Sequence, residues 1–282
     1  METTTRTAWG AYLQTCLLQQ LPFTMMTDTT LNEKFDVLSG VAPAAGIYPA
    51  QRYYCIGNGA HGLAVGADNI PAPDELQHEA TDSTLFKHLP FIMRPVTSDL
   101  TTTQQAQYAL RQVETYGGIQ YACYYLRRMD FTDVEAEITM NTVSAGVTTT
   151  TPYAATTSNL NPTPPAVSSD SVNVVSGDYI STASVVGLTF SAQDATELVN
   201  CATIIYGDAR LAIISEIGLV SGVDQVTTVT GSSGSYNMTE VICAQICSFI
   251  DAFYPMKYLN NGVTIDLNTG STEPLYNLTS TS

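Results

Sequence analysis

The chain has 282 residues and a formal net charge of −16, from 10 basic and 26 acidic side chains. That balance excludes a surface built to grip nucleic acid, which needs clustered Lys and Arg to displace counterions, and it disfavours an anionic membrane surface. Apolar residues make up 44% and charged residues only 13%, so a sizeable core is expected and Ser, Thr, Asn and Gln carry the remaining polarity.

Trp9, Leu13, Cys16, Leu17 and Leu21 fall on one stripe, which predicts an amphipathic helix over residues 8–21, ended by Pro22. The stripe suits either its own domain or a neighbouring subunit. The N-terminal residues lack the basic start and small-residue cleavage site of a secretion signal, and no run reaches the length of a membrane span. The product is therefore expected to be soluble and made in a cytoplasm. Arg52–Ile56 reads as a short strand. Gly57, Gly59 and Gly62 then match the spacing of a dinucleotide fingerprint, which needs a helix opening at the glycines. Gly66, Pro71 and Pro73 follow instead, so the stretch is expected to be a glycine-rich surface loop with a solvated His61. Asp74 and Glu75 sit in the Pro-bounded segment, residues 71–87 read as an acidic connector, and Arg94 is expected to pair with a carboxylate.

Gly117-Gly118 between two apolar-rich runs signals a tight hairpin in which both residues take positive φ. Counting outward pairs Tyr116 with Ile119, Glu114 with Tyr121, Gln112 with Cys123 and Leu110 with Tyr125. After Asp130–Asp133, the residues Val134, Ala136, Ile138 and Met140 alternate with Glu135, Glu137, Thr139 and Asn141, a period of two with one wet face. Together these runs predict a three-stranded antiparallel meander. Residues 144–178 are rich in Thr, Ser and Pro and read as a linker or extended arm that orders on contact with a neighbour.

Order returns at Tyr179. Ser184–Phe190 is a predicted strand, and Ser191 with Asp194 resembles a capping box opening a helix that buries Ala195, Leu198, Val199, Ala202 and Ile205 before Gly207 ends it. Residues 210–220 predict a central strand in which Glu216 faces outward. Residues 221–236 read as a loop. Met238–Phe253 reads as a second helix with Val241, Ile242, Ile246, Phe249 and Phe253 on one stripe, and short strands follow around Val263–Leu267 and Leu275–Leu278. The expected division is 1–143, 144–178 and 179–282. The expected fold class is α+β and β-rich: an antiparallel meander or sandwich body, a few packed helices and long extended loops.

Six cysteines lie at positions 16, 55, 123, 201, 243 and 247, spread through apolar runs with no CxxC pair. They read as free buried thiols rather than a disulfide framework or a zinc site. His61, His78 and His88 form no HxH or HExxH arrangement. Nucleophile-elbow, phosphate-loop and calcium-loop motifs are absent from the sequence. No catalytic, cofactor-binding or metal-ligating residue is assigned, and a non-enzymatic protein is expected.

The run RPVTSDLTTTQQAQYALRQVETYGGIQYACYYLRRMDF, followed by the acidic strand, and the phrase Ile213–Leu219 (IISEIGL) resemble virion structural proteins of tailed bacteriophages. They are most similar to baseplate-wedge and other tail-associated subunits of contractile-tailed phages. The resemblance covers about a third of the chain. It implies a β-rich structural subunit of the tail baseplate or neck that resides in the virion, is synthesised in the host cytoplasm, and contacts other virion proteins and copies of itself. It implies no active-site residues, cofactor, direct nucleic-acid contact or membrane span. The 16 tyrosines suit buried subunit contacts. The alternatives are a receptor-binding or fibre-type adhesion module and a carboxylate-dependent cell-wall hydrolase.

Overall fold

The structure, a computed structural model, describes residues 3–61, 76–161, 171–231, 234–257 and 262–280. In chain order the elements are β1 (Thr3–Arg6), α1 (Ala8–Gln19), α2 (Leu31–Phe35), β2 (Ala50–Gly57), β3 (His88–Leu89), β4 (Ile92–Pro95), α3 (Thr102–Gln105), β5 (Tyr108–Tyr116) and β6 (Ile119–Arg128). They continue as β7 (Glu137–Ser144), β8 (Val147–Pro152), β9 (Ser171–Phe190), α4 (Ala192–Tyr206), β10 (Ile213–Gly231), β11 (Gly234–Pro255) and β12 (Val263–Ser280). The fold is α+β and β-dominated. Its first sheet runs β1-β11-β10-β2-β6-β4, with β3 added on β2 and β5 on β6; its second runs β12-β9-β7-β8.

Contacts divide the chain into two units, one of Met1–Met129 with Thr189–Val263 and one of Asp130–Leu188 with Thr264–Ser282. The units interleave along the sequence, which boundaries drawn from composition do not express.

In the first unit the hairpin forms around Gly117 (φ 57°) and Gly118 (φ 81°). The pairs Tyr116–Ile119, Glu114–Tyr121 and Gln112–Cys123 are as expected. The pairing skips Leu110, which sits at φ 56°. The backbone N–H groups of Leu110 and Arg111 donate to the buried Glu240 carboxylate on β11 instead of continuing the ladder. The third strand of the predicted meander is elsewhere. The outer side of β6 is already paired with β4 and β2. Asp130 takes the N–H of Thr132, and Asp133 adopts φ 61°. The chain thus turns away, and β7 pairs with β8 and β9.

The predicted helix over Met238–Phe253 is β11, and the described residues of the predicted loop, 221–231 and 234–236, belong to β10 and β11, which pair with each other. An apolar run buried on both faces has no period, so a helical stripe can be drawn through it by chance. Here Val241, Ile242, Ile246 and Ile250 are β-branched and pair along β10, with β1 on the other side of Ser248–Asp251; branched side chains pack well in such a strand. Where β11 bulges at Cys243 (φ 53°), the Asn32 side chain substitutes for a strand partner. Its amide donates to Val241 O at 2.8 Å, and its oxygen accepts from Ala244 N at 2.8 Å.

Helix α1 forms as expected and is capped by Thr7, whose hydroxyl accepts from Gly10 N and donates to Ile246 O on β11. Trp9 and Leu13 pack on Cys243 and Cys247, and the indole N–H donates to Ser221 Oγ at 2.9 Å. A Cβ at Gly10 would stand 2.3 Å from Cys247 O, so only glycine permits this approach. Leu17 and Leu21, expected on the buried stripe, are exposed together with Leu18. Helix α4 has its Ser191–Asp194 capping box and ends at Gly207 (φ 71°). It is tied to the first sheet by Arg94 with Glu197, the expected ion pair, and by Arg127 with Asp194 at 3.0 Å.

In the second unit β7 and β8 form a hairpin through Ala145 (φ 50°) and Gly146 (φ 78°). Buried Asn141 joins the strands: its amide donates to Ser181 Oγ on β9, and its oxygen accepts from Thr150 Oγ1 on β8. The stretch 144–178, expected as a linker or arm, thus contributes β8 and the start of β9 to a sheet. Every residue of β8 is exposed.

All six cysteines are free and buried. Burial raises the Cys123 thiol to about 12, with Glu114 adding to the effect, and the Cys243 thiol to about 11, with Cys247 adding to it. A thiol-reactive dye is therefore expected to leave the native chain unlabelled and to titrate six thiols in denaturant. Rapid native labelling would contradict this packing. Trp9→Ala should cost about 3–5 kcal/mol of stability in urea unfolding.

Candidate functional site

Among the described residues, a cluster of ionisable side chains is built on β10. Glu216, expected to face outward, is fully buried. Its Oε1 accepts from the N–H of Gly59 (2.8 Å) and of Lys87 (2.9 Å), and its Oε2 from the N–H of Phe86 (2.8 Å). His78 Nε2 lies 2.9 Å from Oε2. One carboxylate thus holds the loop after β2 and the segment before β3, neither of which has a strand partner at these amides. The neighbouring Ser215 Oγ accepts from Ala60 N.

The glycines of the fingerprint-like run serve this contact. A Cβ at Gly57 would stand 2.5 Å from Glu216 Oε1 and 2.4 Å from Lys87 O; one at Gly59 would stand 2.7 Å from Lys87 N. Close approach of backbone to a carboxylate explains both positions. Gly62, Gly66, Pro71, Pro73, Asp74 and Glu75 lie outside the described residues.

His78 lies between the rings of Phe86 and Phe249, at 4.1 and 3.9 Å and nearly parallel to both. Its Nδ1 is 3.1 Å from Asp82 Oδ2, and its backbone N–H points at Asp251 Oδ2. Both ring nitrogens face carboxylates, and both can donate only as the imidazolium. Burial alone would lower the His78 pKa, but hydrogen bonds to Glu216 and Asp82 outweigh it, and the pKa is raised.

His61 is buried rather than solvated, edge-on to Phe253, and burial lowers its pKa. Neither of its ring nitrogens has a partner among the described residues. His88 is half-buried beside Phe35 and Tyr125, and its pKa falls to about 3 through desolvation and the nearby Lys34 and His78 charges. Its Nε2 accepts from Leu85 N.

Chemically, the Glu216–His78–Asp82 chain has the parts of a proton relay. A general acid or base must, however, reach the proton it moves. The side chains of Glu216 and His78 are fully covered, and the carboxylate contacts backbone amides and a ring. The arrangement positions loops. Among the described residues no group of three or more His, Cys, Asp or Glu side chains is placed to hold a metal ion.

Open clefts occur in both units. In the first unit a cavity of about 290 Å³ is lined by Gln105, Arg128, Asp224 and Met238; there Arg128 pairs with Asp224 and covers the Tyr53 ring. In the second unit a groove of about 610 Å³ is lined by Asp133, Glu135, Glu137, Asn141 and Tyr179. A charged residue inside an apolar run was the one signal for Glu216. Its partner His78 is 138 positions away, and nothing in the sequence joins them.

Removing one member of a buried ionic pair leaves the other uncompensated, at a cost of about 3–5 kcal/mol. Glu216→Ala should lose that much in urea unfolding; a loss below about 1 kcal/mol would contradict the geometry. Because the folded-state pKa of His78 lies above its ordinary 6.5, its pairing stabilises the fold fully below that value. The contribution fades as pH rises through the folded-state pKa. The stability difference between wild type and His78→Gln should therefore shrink with rising pH, read as thermal midpoints from pH 6 to about pH 9. A difference that grows would overturn the assignment.

A family model described as "Family of unknown function (DUF7208)" matches residues 1–282. No curated protein and no solved structure matches the chain.

Proposed function

The chain belongs to the DUF7208 family, and we propose that it is a non-enzymatic structural subunit of a bacteriophage virion, at the tail baseplate or neck, acting through contacts with other subunits. The observation that carries this reading is where charge is absent. The chain has 36 charged residues, yet none lies between Glu137 and Asp170, the stretch that holds β8 and its hairpin turn. That strand is exposed throughout, with Val147 at 66%. Exposed hydroxyl-bearing strands without charge are poor at keeping copies apart and well suited to burial against a partner, since no full charge must leave water. Leu17, Leu18 and Leu21 at the end of α1 add exposed apolar surface. The buried carboxylates Glu216 and Glu240 are engaged with backbone amides, which supports a role without chemistry.

The groove of Asp133, Glu135, Glu137, Asn141 and Tyr179 favours a second reading, a glycan-binding adhesion module. Mass spectrometry of purified particles of the encoding virus, with electron microscopy to place the subunit, tests the first. Stoichiometric presence in the tail is expected. Absence from the particle, together with an isolated chain that sediments as an inert monomer, overturns it. A glycan-array signal abolished by Tyr179→Ala would favour the second.

A further inference from the structure

The edge of the second sheet has a geometry that fits one partner better than others. The two-residue turn Ala145-Gly146 makes Ser144–Val147 the closing pair of the hairpin. Hydrogen-bonded pairs then recur at every second position, in agreement with the bond from Tyr153 N to Ile138 O. The N–H and C=O groups of Val147, Thr149 and Thr151 therefore face β7. Those of Thr148 and Thr150 face outward. Among the described residues no strand takes them, since β8 is the terminal strand of its sheet.

We propose that β8 pairs edge to edge and antiparallel with β8 of a second copy of this chain, about a two-fold axis at Thr149. This deepens the assembly reading and rests on it. In this register Thr148 faces Thr150 of the copy and Thr150 faces its Thr148. The four outward groups of Thr148 and Thr150 on each strand are satisfied, with two donors and two acceptors per chain. Thr149 meets its own counterpart.

Charge selects this partner. Two copies each carrying −16 repel, so self-contact needs a surface without like charges, and this edge lies in the long stretch that has none. The edge is also its own complement, because Thr148–Thr150 reads the same in both directions about Thr149. Pro152 stops the pairing, as its missing N–H belongs to the outward set.

Sedimentation velocity on the full chain tests the register. Thr149 is exposed and its backbone faces β7, so Thr149→Lys and Thr149→Glu should keep the wild-type thermal midpoint. Wild type is expected to dimerise. Either variant alone should dimerise about tenfold more weakly, because like charges then stand directly opposite, and an equimolar mixture of the two should recover the dimer. Variants that dimerise as tightly as wild type would overturn the register. A monomeric wild type that still joins other virion proteins would overturn the β8 pairing and leave the assembly reading standing. A monomer that joins nothing would remove both.

Discussion

A carboxylate accepting backbone amides is the interaction on which this fold depends. Glu216 collects the N–H groups of Gly59, Phe86 and Lys87. Glu240 collects those of Leu110, Arg111 and Val241. Each lies where the chain leaves regular pairing, so each does for a loop or a bulge what a neighbouring strand does elsewhere. A buried amide without a partner costs about 1–3 kcal/mol. Three such amides converging on one ion can offset the ion's own desolvation in a way that a single neutral acceptor cannot. Burial still raises the Glu240 pKa against the pull of its three amides.

The same logic accounts for side chains that look functional in isolation. The glycines at 57 and 59 leave room for a carboxylate. His78 completes the fourth bond to that carboxylate and fills the gap between two phenylalanine rings. Asn32 performs the neutral version of the task at the β11 bulge. Histidine, glutamate and glycine near one another are the vocabulary of active sites, and here the same groups close a core.

Local features were legible in the sequence where the cause was local. The Gly117-Gly118 hairpin and its register, the Ser191–Asp194 capping box and the Gly207 stop depend on residues within a few positions of one another. The β-rich α+β class followed from such features. Elements set by distant partners were not legible. Met238–Phe253 is a strand because β10 pairs along it and β1 adds to Ser248–Asp251, and its apolar run carries no period to say so. The third meander strand failed for the same reason: the outer side of β6 had been taken by β4 and β2, from far earlier in the chain. Glu216 faces inward although outward orientation is the rule for a strand carboxylate, and the amides that reverse the rule come from two separate segments distant in sequence.

Pro152 stands at the end of an exposed strand, in line with two outward amides at Thr148 and Thr150. A threonine-rich edge free of charge is the kind that recruits strand after strand into fibrils. Cross-β stacking needs a row of donors along each strand edge, pointing along the fibril axis, and a proline after the second removes the next donor. The residue thus limits amyloid-like growth on an edge that carries no charge to oppose it.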